Sequence, residues 1–200
     1  MASETVLIVL NGATFLNAAQ RTALVKWVKE GMEPITRAAG AELVVTLQRP
    51  KDKPGPSVYH LEVTFEIEDV PKRRCGFVLA ECGSGTISIT RHQYMGICGD
   101  DPKTRNQRFL TTDELLGHAL ANTALHELGH KIGNFDDNRN AGDFMSTLGP
   151  DRKDRDKGSM RAFFAGTMSW TTAQQRVLID NIKAGRMAWD DEFTVTPGAP

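Results

Sequence analysis

The chain has no apolar run that approaches the roughly 20 residues of a membrane-spanning helix. The N-terminal VLIVL is too short for the core of a signal peptide, and Glu4 precedes it where a basic region would stand. Neither charge is in excess, since 24 basic and 25 acidic residues leave a formal net charge of −1. This balance gives no electrostatic argument for binding nucleic acid or an anionic membrane. We therefore expect neither as a partner.

Cysteine is scarce as well. Cys75, Cys82 and Cys98 are too few for a disulfide framework, although Cys82–Cys98 or Cys75–Cys82 could pair in an oxidising compartment. We expect a cytoplasmic protein, or a secreted one if this chain is a mature domain whose leader has been removed. Its 200 residues suffice for a single domain with a sizeable core, and no repeat or linker divides them before residue 190.

Hydrophobic periodicity predicts an alternation of strands and helices. The strands are predicted over 5–12, 41–49, 58–69, 75–83 and 85–93. The helices are predicted over 17–40, 111–133 and 171–186. Gly40 stands where glycine ends a helix, and Pro34 predicts a kink or a short second helix. This order favours an α/β fold, with a mixed, mostly parallel twisted sheet of about five strands backed by two helices, and a small irregular C-terminal part that ends in a helix.

The segment TALHELGHKIGNFDDN, residues 123–138, carries the residues that point to chemistry. His126 and His130 are four residues apart, so on a helix they point the same way and can bind one zinc ion at about 2.0–2.1 Å each. Glu127 is rotated from His126 by about 100° and flanks the ion instead of binding it. From there it can take a proton from a metal-bound water, whose pKa zinc lowers towards about 7.

The third ligand is expected just after the helix. Gly133 lets the chain reverse by adopting a positive φ, and the carboxylate of Asp136 can then swing back to the metal. Asp137 is the neighbouring alternative.

The pattern HExxHxxGxxD, formed by His126, Glu127, His130, Gly133 and Asp136, resembles the zinc signature of the metzincin clan of metallopeptidases. Aspartate in the third ligand position is typical of its snapalysin-like branch. The resemblance covers about 5–186, because the order of strands, helices and methionine turn is that of the clan. It implies a zincin-like catalytic domain over 1–200, with an N-terminal subdomain over about 1–133, a C-terminal subdomain over about 134–190 and a tail over 191–200.

The resemblance also implies further site residues. Met145 in GDFMS would form the methionine turn beneath the metal, and Met168 is its rival. In such enzymes an antiparallel edge strand pairs with the substrate backbone, and by order this is 77–83. The residues expected to contact substrate are Phe77, Val78, Leu79, Ala80, Ser146 and Leu148.

We therefore predict a zinc-dependent endopeptidase that acts as a monomer on a peptide or protein substrate. The alternatives are a non-catalytic zinc-binding regulatory or interaction domain that keeps the metal shell, and a structural domain without metal. Outside the motif, His60 and His92 are interpreted as structural, and His118 as packed or solvated. The acidic residues Asp136, Asp137 and Asp143 could instead bind calcium, although their spacing matches no known loop.

Overall fold

The computed structural model describes residues 4–68, 86–90, 113–138, 140, 142–146 and 168–186. These residues form an α/β arrangement with a parallel sheet, which confirms the predicted class. The elements are β1 (Thr5–Asn11), α1 (Ala18–Ala39), β2 (Glu42–Thr46), β3 (Val58–Glu68), β4 (Thr86–Thr90), α2 (Asp113–Gly133) and α3 (Thr172–Ala184). A short 3-10 helix, Ala13–Phe15, leads from β1 towards α1.

The described strands form one sheet in the order β2-β1-β3-β4, and all three neighbouring pairs are parallel. Alternation in β3 decides which face is buried: Leu61 and Val63 are at most 2% exposed, whereas His60 and Glu62 between them are only half-buried. Register with β1 places Ile8 beside Leu61 on the buried face. The predicted fifth strand over 75–83 lies outside the described residues.

Helix α1 begins and ends as its sequence predicts. Asn17 accepts a hydrogen bond from the backbone N–H of Gln20 and the Gln20 side chain accepts one in return, while Gly40 ends the helix at φ 79°. The helix is continuous through Pro34, so the alternative of a short second helix is wrong. Pro34 and Glu30 both face solvent, so water can satisfy the Glu30 carbonyl that the proline leaves without a helical donor.

Helix α2 lies in the centre of the core, against α1. Two glycines permit this close approach: a Cβ on Gly117 would lie 2.5 Å from the backbone oxygen of Gln20, and one on Gly31 would lie 2.5 Å from Leu125 Cδ1. The buried residues of α2 recur at helical spacing and include Leu120, Ala121, Ala124, Leu125, Leu128 and Ile132. The core therefore fixes the rotation of α2, and with it the direction of the two histidines.

Helix α3 closes the described part of the fold. Thr171 caps it in a capping box with Gln174, and Gly185 ends it at φ 64°. Its Asn181 side chain donates to the carbonyl of Ile132 at 2.7 Å, which ties α3 to the end of α2. Within the described ranges, no helix has the length and apolar character needed to cross a membrane.

Candidate metal centre

The last two turns of α2 bring the imidazoles of His126 and His130 together. Their Nε2 atoms are 3.1 Å apart, and the ring planes meet at 86°. Both side chains are partly accessible, at 15% and 19%. The predicted convergence of the two histidines on one side of the helix is present in the structure.

Backbone carbonyls fix the orientation of both rings. The Nδ1–H of His126 donates to the carbonyl oxygen of Phe144 at 2.8 Å, and that of His130 donates to the carbonyl oxygen of Phe135 at 2.6 Å. A carbonyl can only accept, so the proton of each neutral imidazole lies on Nδ1. Each Nε2 is then left with a lone pair, which is how metal-binding histidines are commonly oriented.

The carboxylate of Asp137 completes a group of three donor atoms. Its Oδ1 lies 3.2 Å from His126 Nε2 and 3.3 Å from His130 Nε2. Donors bound to one tetrahedral zinc at about 2.0–2.2 Å would be about 3.4 Å apart, so the spacing fits a shared ion. Three acceptor atoms this close repel one another unless a cation or a proton lies among them. His126, His130 and Asp137 could therefore hold a metal ion.

Asp136, which was preferred from the sequence, does not belong to this group, and its alternative Asp137 is the carboxylate that lies beside the histidines. The reversal of the chain comes one residue later than expected. Gly133 is still helical and has no positive φ, whereas Asn134 adopts the left-handed conformation at φ 50°. Asparagine tolerates this conformation better than most residues do. A turn that is shifted by one residue shifts the returning carboxylate by one residue as well.

Gly133 has a different role from the predicted one. A Cβ at this position would lie 2.4 Å from the ring atoms Cε2 and Cζ of Phe135. The missing side chain therefore gives room for the Phe135 ring, whose own backbone carbonyl orients His130. Gly133 acts through packing, and Asn134 supplies the turn.

Comparison of the chain with models of protein families, with curated proteins and with solved structures finds no match.

Met145 packs against Gly129 of α2, which lies between the two histidines in sequence. It is fully buried, and a Cβ on Gly129 would lie 2.3 Å from its sulfur and 3.0 Å from the ring of Trp170. Gly129 is in the turn between His126 and His130, so the sulfur packs against the helix at the metal centre. Met168, the rival, lines a cavity with Trp27, His118 and Trp170 instead.

Glu127 is buried beside the cluster, at 5% exposure, and does not belong to the three-donor group. This position agrees with a residue that flanks a metal ion. Of the expected substrate contacts, Ser146 follows Met145 and is half-buried, and its N–H donates to the carbonyl of Asp143. The others, Phe77, Val78, Leu79, Ala80 and Leu148, lie outside the described residues, as does His92.

The two remaining histidines lie away from the centre. His118 is 6% exposed and stacks on Trp27, with ring centroids 4.1 Å apart. Burial lowers its pKa, and this effect exceeds the opposing influence of the Glu114 carboxylate. His60 is on β3, on the face opposite to Leu61. Neither residue belongs to the three-donor group.

Several residues that shape the centre were not predicted from the sequence. The carbonyls of Phe135 and Phe144 orient the rings, and carbonyl groups carry no sequence signal because every residue has one. Asn134 had a signal, since asparagine after a helix often adopts the left-handed conformation. Asp143, considered as a calcium ligand, is instead buried and hydrogen-bonded within the protein.

Proposed function

We propose that the chain is a zinc-dependent endopeptidase whose site resembles that of the metzincin clan. The observation that supports this most directly is the convergence of His126 Nε2, His130 Nε2 and Asp137 Oδ1 within 3.1–3.3 Å of one another. Glu127, the buried neighbour of His126, supplies the carboxylate that such a reaction needs beside the metal.

Zinc is the metal that we propose. Two neutral imidazoles and one carboxylate form a donor set that suits zinc, and three protein ligands leave a further position open, as in catalytic sites. The Asp137 side chain is 54% exposed, so solvent and a substrate can approach the cluster from this side. Aspartate adds a negative charge that a third histidine would not, and this should make the zinc a slightly weaker Lewis acid.

In the proposed mechanism, His126, His130 and Asp137 would hold the ion. Zinc bound there would polarise the peptide carbonyl and lower the pKa of a bound water to about 7. Glu127 takes the proton of the attacking water and then delivers it to the nitrogen of the leaving amine. The carbonyls of Phe135 and Phe144 keep the histidines in the required tautomer throughout.

The substrate contacts remain part of the proposal. The edge strand predicted from the sequence over 77–83, which includes Phe77, Val78, Leu79 and Ala80, would pair with an extended peptide. Ser146 and Leu148 would border the pocket for the side chain that follows the cleaved bond. The position of Ser146, directly after the buried Met145, is what supports this assignment.

The decisive experiment is cleavage of a diverse peptide mixture, read by mass spectrometry, with wild type, wild type plus chelator, and Glu127→Gln. Products are expected from untreated wild type alone, because the amide that replaces the Glu127 carboxylate cannot accept the proton. Loss of a general base lowers turnover by about 10²–10⁴-fold. Zinc content of Glu127→Gln should equal that of wild type, because Glu127 is not a ligand.

Glu114→Gln is the matched control, since Glu114 is on the same helix with a 64% exposed side chain. It should cleave as wild type does. Cleavage that survives both chelation and Glu127→Gln would contradict the proposal. Zinc bound without any cleavage would favour a non-catalytic binding or regulatory domain. If no metal binds, a proton shared between the histidines and Asp137 accounts for the cluster.

A further inference from the structure

Asp143 is a buried carboxylate that lies outside the metal-ligand group. The residue is 5% exposed, and the described part of the chain offers it no ion pair with a basic residue. Three neutral donors surround it instead. The Met145 N–H donates to Oδ1 at 2.9 Å, the Asn138 amide to Oδ2 at 2.7 Å, and the Gln174 amide to both oxygens at 3.1 and 3.3 Å.

These donors connect Asp143 to two of the three metal ligands. Asn138 directly follows Asp137, and its backbone N–H donates to the carbonyl of Met145 at 2.8 Å. Phe144 directly follows Asp143, and its carbonyl accepts from His126 Nδ1. The Asp143 carboxylate therefore holds together the two short segments that present the Asp137 ligand and orient the His126 ligand.

Gln174 connects the same carboxylate to α3. The side-chain Oε1 of Gln174 accepts from the Thr171 backbone N–H at 2.8 Å, and the backbone N–H of Gln174 donates to Thr171 Oγ1 at 3.3 Å. This capping box fixes the side chain, so that its amide NH₂ points to Asp143. A rigid helix end is a better anchor for a metal site than a loop side chain would be.

We propose that Asp143 is a positioning residue of the metal centre, and that Gln174 anchors it to α3. This inference rests on the proposed metal centre, but not on its peptidase activity. Hydrogen bonds to an ionised carboxylate are roughly twice as strong as those between neutral groups, which suits a residue that must fix two segments. Partners one step removed from the ion typically change metal affinity by about 10–100-fold.

The first test is Asp143→Asn, which keeps the shape but replaces one accepting oxygen with an NH₂ group. This group then faces the Gln174 amide together with either the Met145 N–H or the Asn138 amide. We expect zinc affinity to fall by about 10–100-fold in competition with a chelating dye. Absorption of the cobalt(II)-loaded protein should change as well, because it reports the coordination geometry. If Asp143→Asn does not fold, Gln174→Ala decides, since it removes one donor and leaves the other two.

A charge swap separates positioning from simple loss of stability. In Gln174→Glu, the new carboxylate would lie about 3.1 Å from the Asp143 carboxylate, which is the length of the hydrogen bond that is lost. Repulsion between the two negative charges should displace Asp143, and metal affinity should fall. The double variant Asp143→Asn/Gln174→Glu restores a donor opposite an acceptor and should regain part of the zinc affinity and the cobalt spectrum. Gln175→Ala is the matched control, because the Gln175 amide bonds the carbonyl of Trp170 and not Asp143.

Each outcome decides the inference. Weaker zinc binding in the single variants with partial recovery in the double variant supports it. Lower thermal stability with unchanged zinc affinity and cobalt spectrum overturns it, and makes Asp143 purely structural. Failure of wild type to bind zinc overturns both proposals, whereas zinc binding without peptide cleavage overturns only the peptidase.

Discussion

The sheet with α1 and the segment from Asn134 to Ser146 differ in how far hydrogen bonds hold them in place. The sheet and α1 bury apolar side chains against α2, and Ile8, Leu24 and Leu61 are fully buried. In the described residues of the segment after α2, Phe144 and Met145 join the same core, but the backbone has isolated bridges, such as Asn138 with Ser146, and is linked by hydrogen bonds to Asp143 and His126. Apolar burial fixes the positions of the helices and strands, and directional hydrogen bonds orient the side chains of the candidate metal centre.

This difference has a consequence for substitutions. The free energy of apolar burial is non-directional and roughly proportional to area, so a small shift that keeps the same area buried changes it little. A metal centre needs its donor atoms within a few tenths of an ångström, so a small shift changes metal affinity strongly. Substitutions in the first region should lower global stability, and substitutions in the second should lower metal affinity.

The largest stability effect is expected for Leu24→Ala in α1. Leu24 is fully buried, and truncating a buried leucine typically lowers the free energy of unfolding by about 2–5 kcal/mol. Zinc affinity of the folded protein should stay within a few-fold of wild type. Denaturant titration and dye competition measure the two quantities. Val177→Ala, at an exposed helical position, is the control and should change neither. A large loss of zinc affinity in folded Leu24→Ala would abolish the distinction between the regions.

Gly129→Ala should lower stability less than Leu24→Ala does, but it should lower zinc affinity more. The new methyl group would meet Met145 Sδ at 2.3 Å, and overpacking typically costs about 1–3 kcal/mol, partly offset by the better helix propensity of alanine. Displacement of Met145 should weaken zinc binding by about 10-fold, through the turn that orients His126.

Gly31→Ala is the matched control for Gly129→Ala. Both glycines are in helices, and at Gly31 the methyl group would meet Leu125 Cδ1 at 2.5 Å, on the side of α2 that faces α1. We expect a similar loss of thermal stability with little change in zinc affinity. Equal losses of zinc affinity in the two variants would show that metal binding follows general core packing.

The smallest effect is expected on the pH dependence of stability that is due to His118. This histidine packs against Trp27, with Glu114 and Lys26 nearby. Its pKa is lowered in the folded state, so below the unfolded value of about 6.5 the unfolded chain binds the proton first. Stability should therefore fall as pH drops from about 6.5 towards the folded pKa. His118→Phe keeps a ring against Trp27 and should remove this part of the dependence in thermal melts. If thermal stability falls equally steeply with pH in wild type and in His118→Phe, His118 is not the cause of this dependence.

The regular elements could be predicted from sequence because their signals are local. The run 5–12, the alternation of Leu61, Val63 and Phe65, and the glycine at Gly40 each specify an element within a few residues. His126 and His130 could be predicted because helical geometry converts a spacing of four residues into a shared direction.

The third member of the candidate metal-binding group could not be predicted in this way, because two neighbouring residues can both form the left-handed turn. Gly133 and Asn134 each tolerate positive φ, and Asp136 and Asp137 are the matching carboxylates. The ring of Phe135 lies against Gly133, and Asn134 takes the turn. Such tertiary contacts are absent from any local pattern, as are those that bury Asp143 against Gln174.

The most direct test of this account is the zinc content of Asp136→Ala and Asp137→Ala after dialysis against a weak chelator. Both variants remove one exposed carboxylate from adjacent positions, so their effects on folding should be alike. The account predicts that Asp137→Ala loses its zinc and that Asp136→Ala retains it. Retention by Asp137→Ala with loss by Asp136→Ala would contradict the shifted turn and return the ligand to Asp136.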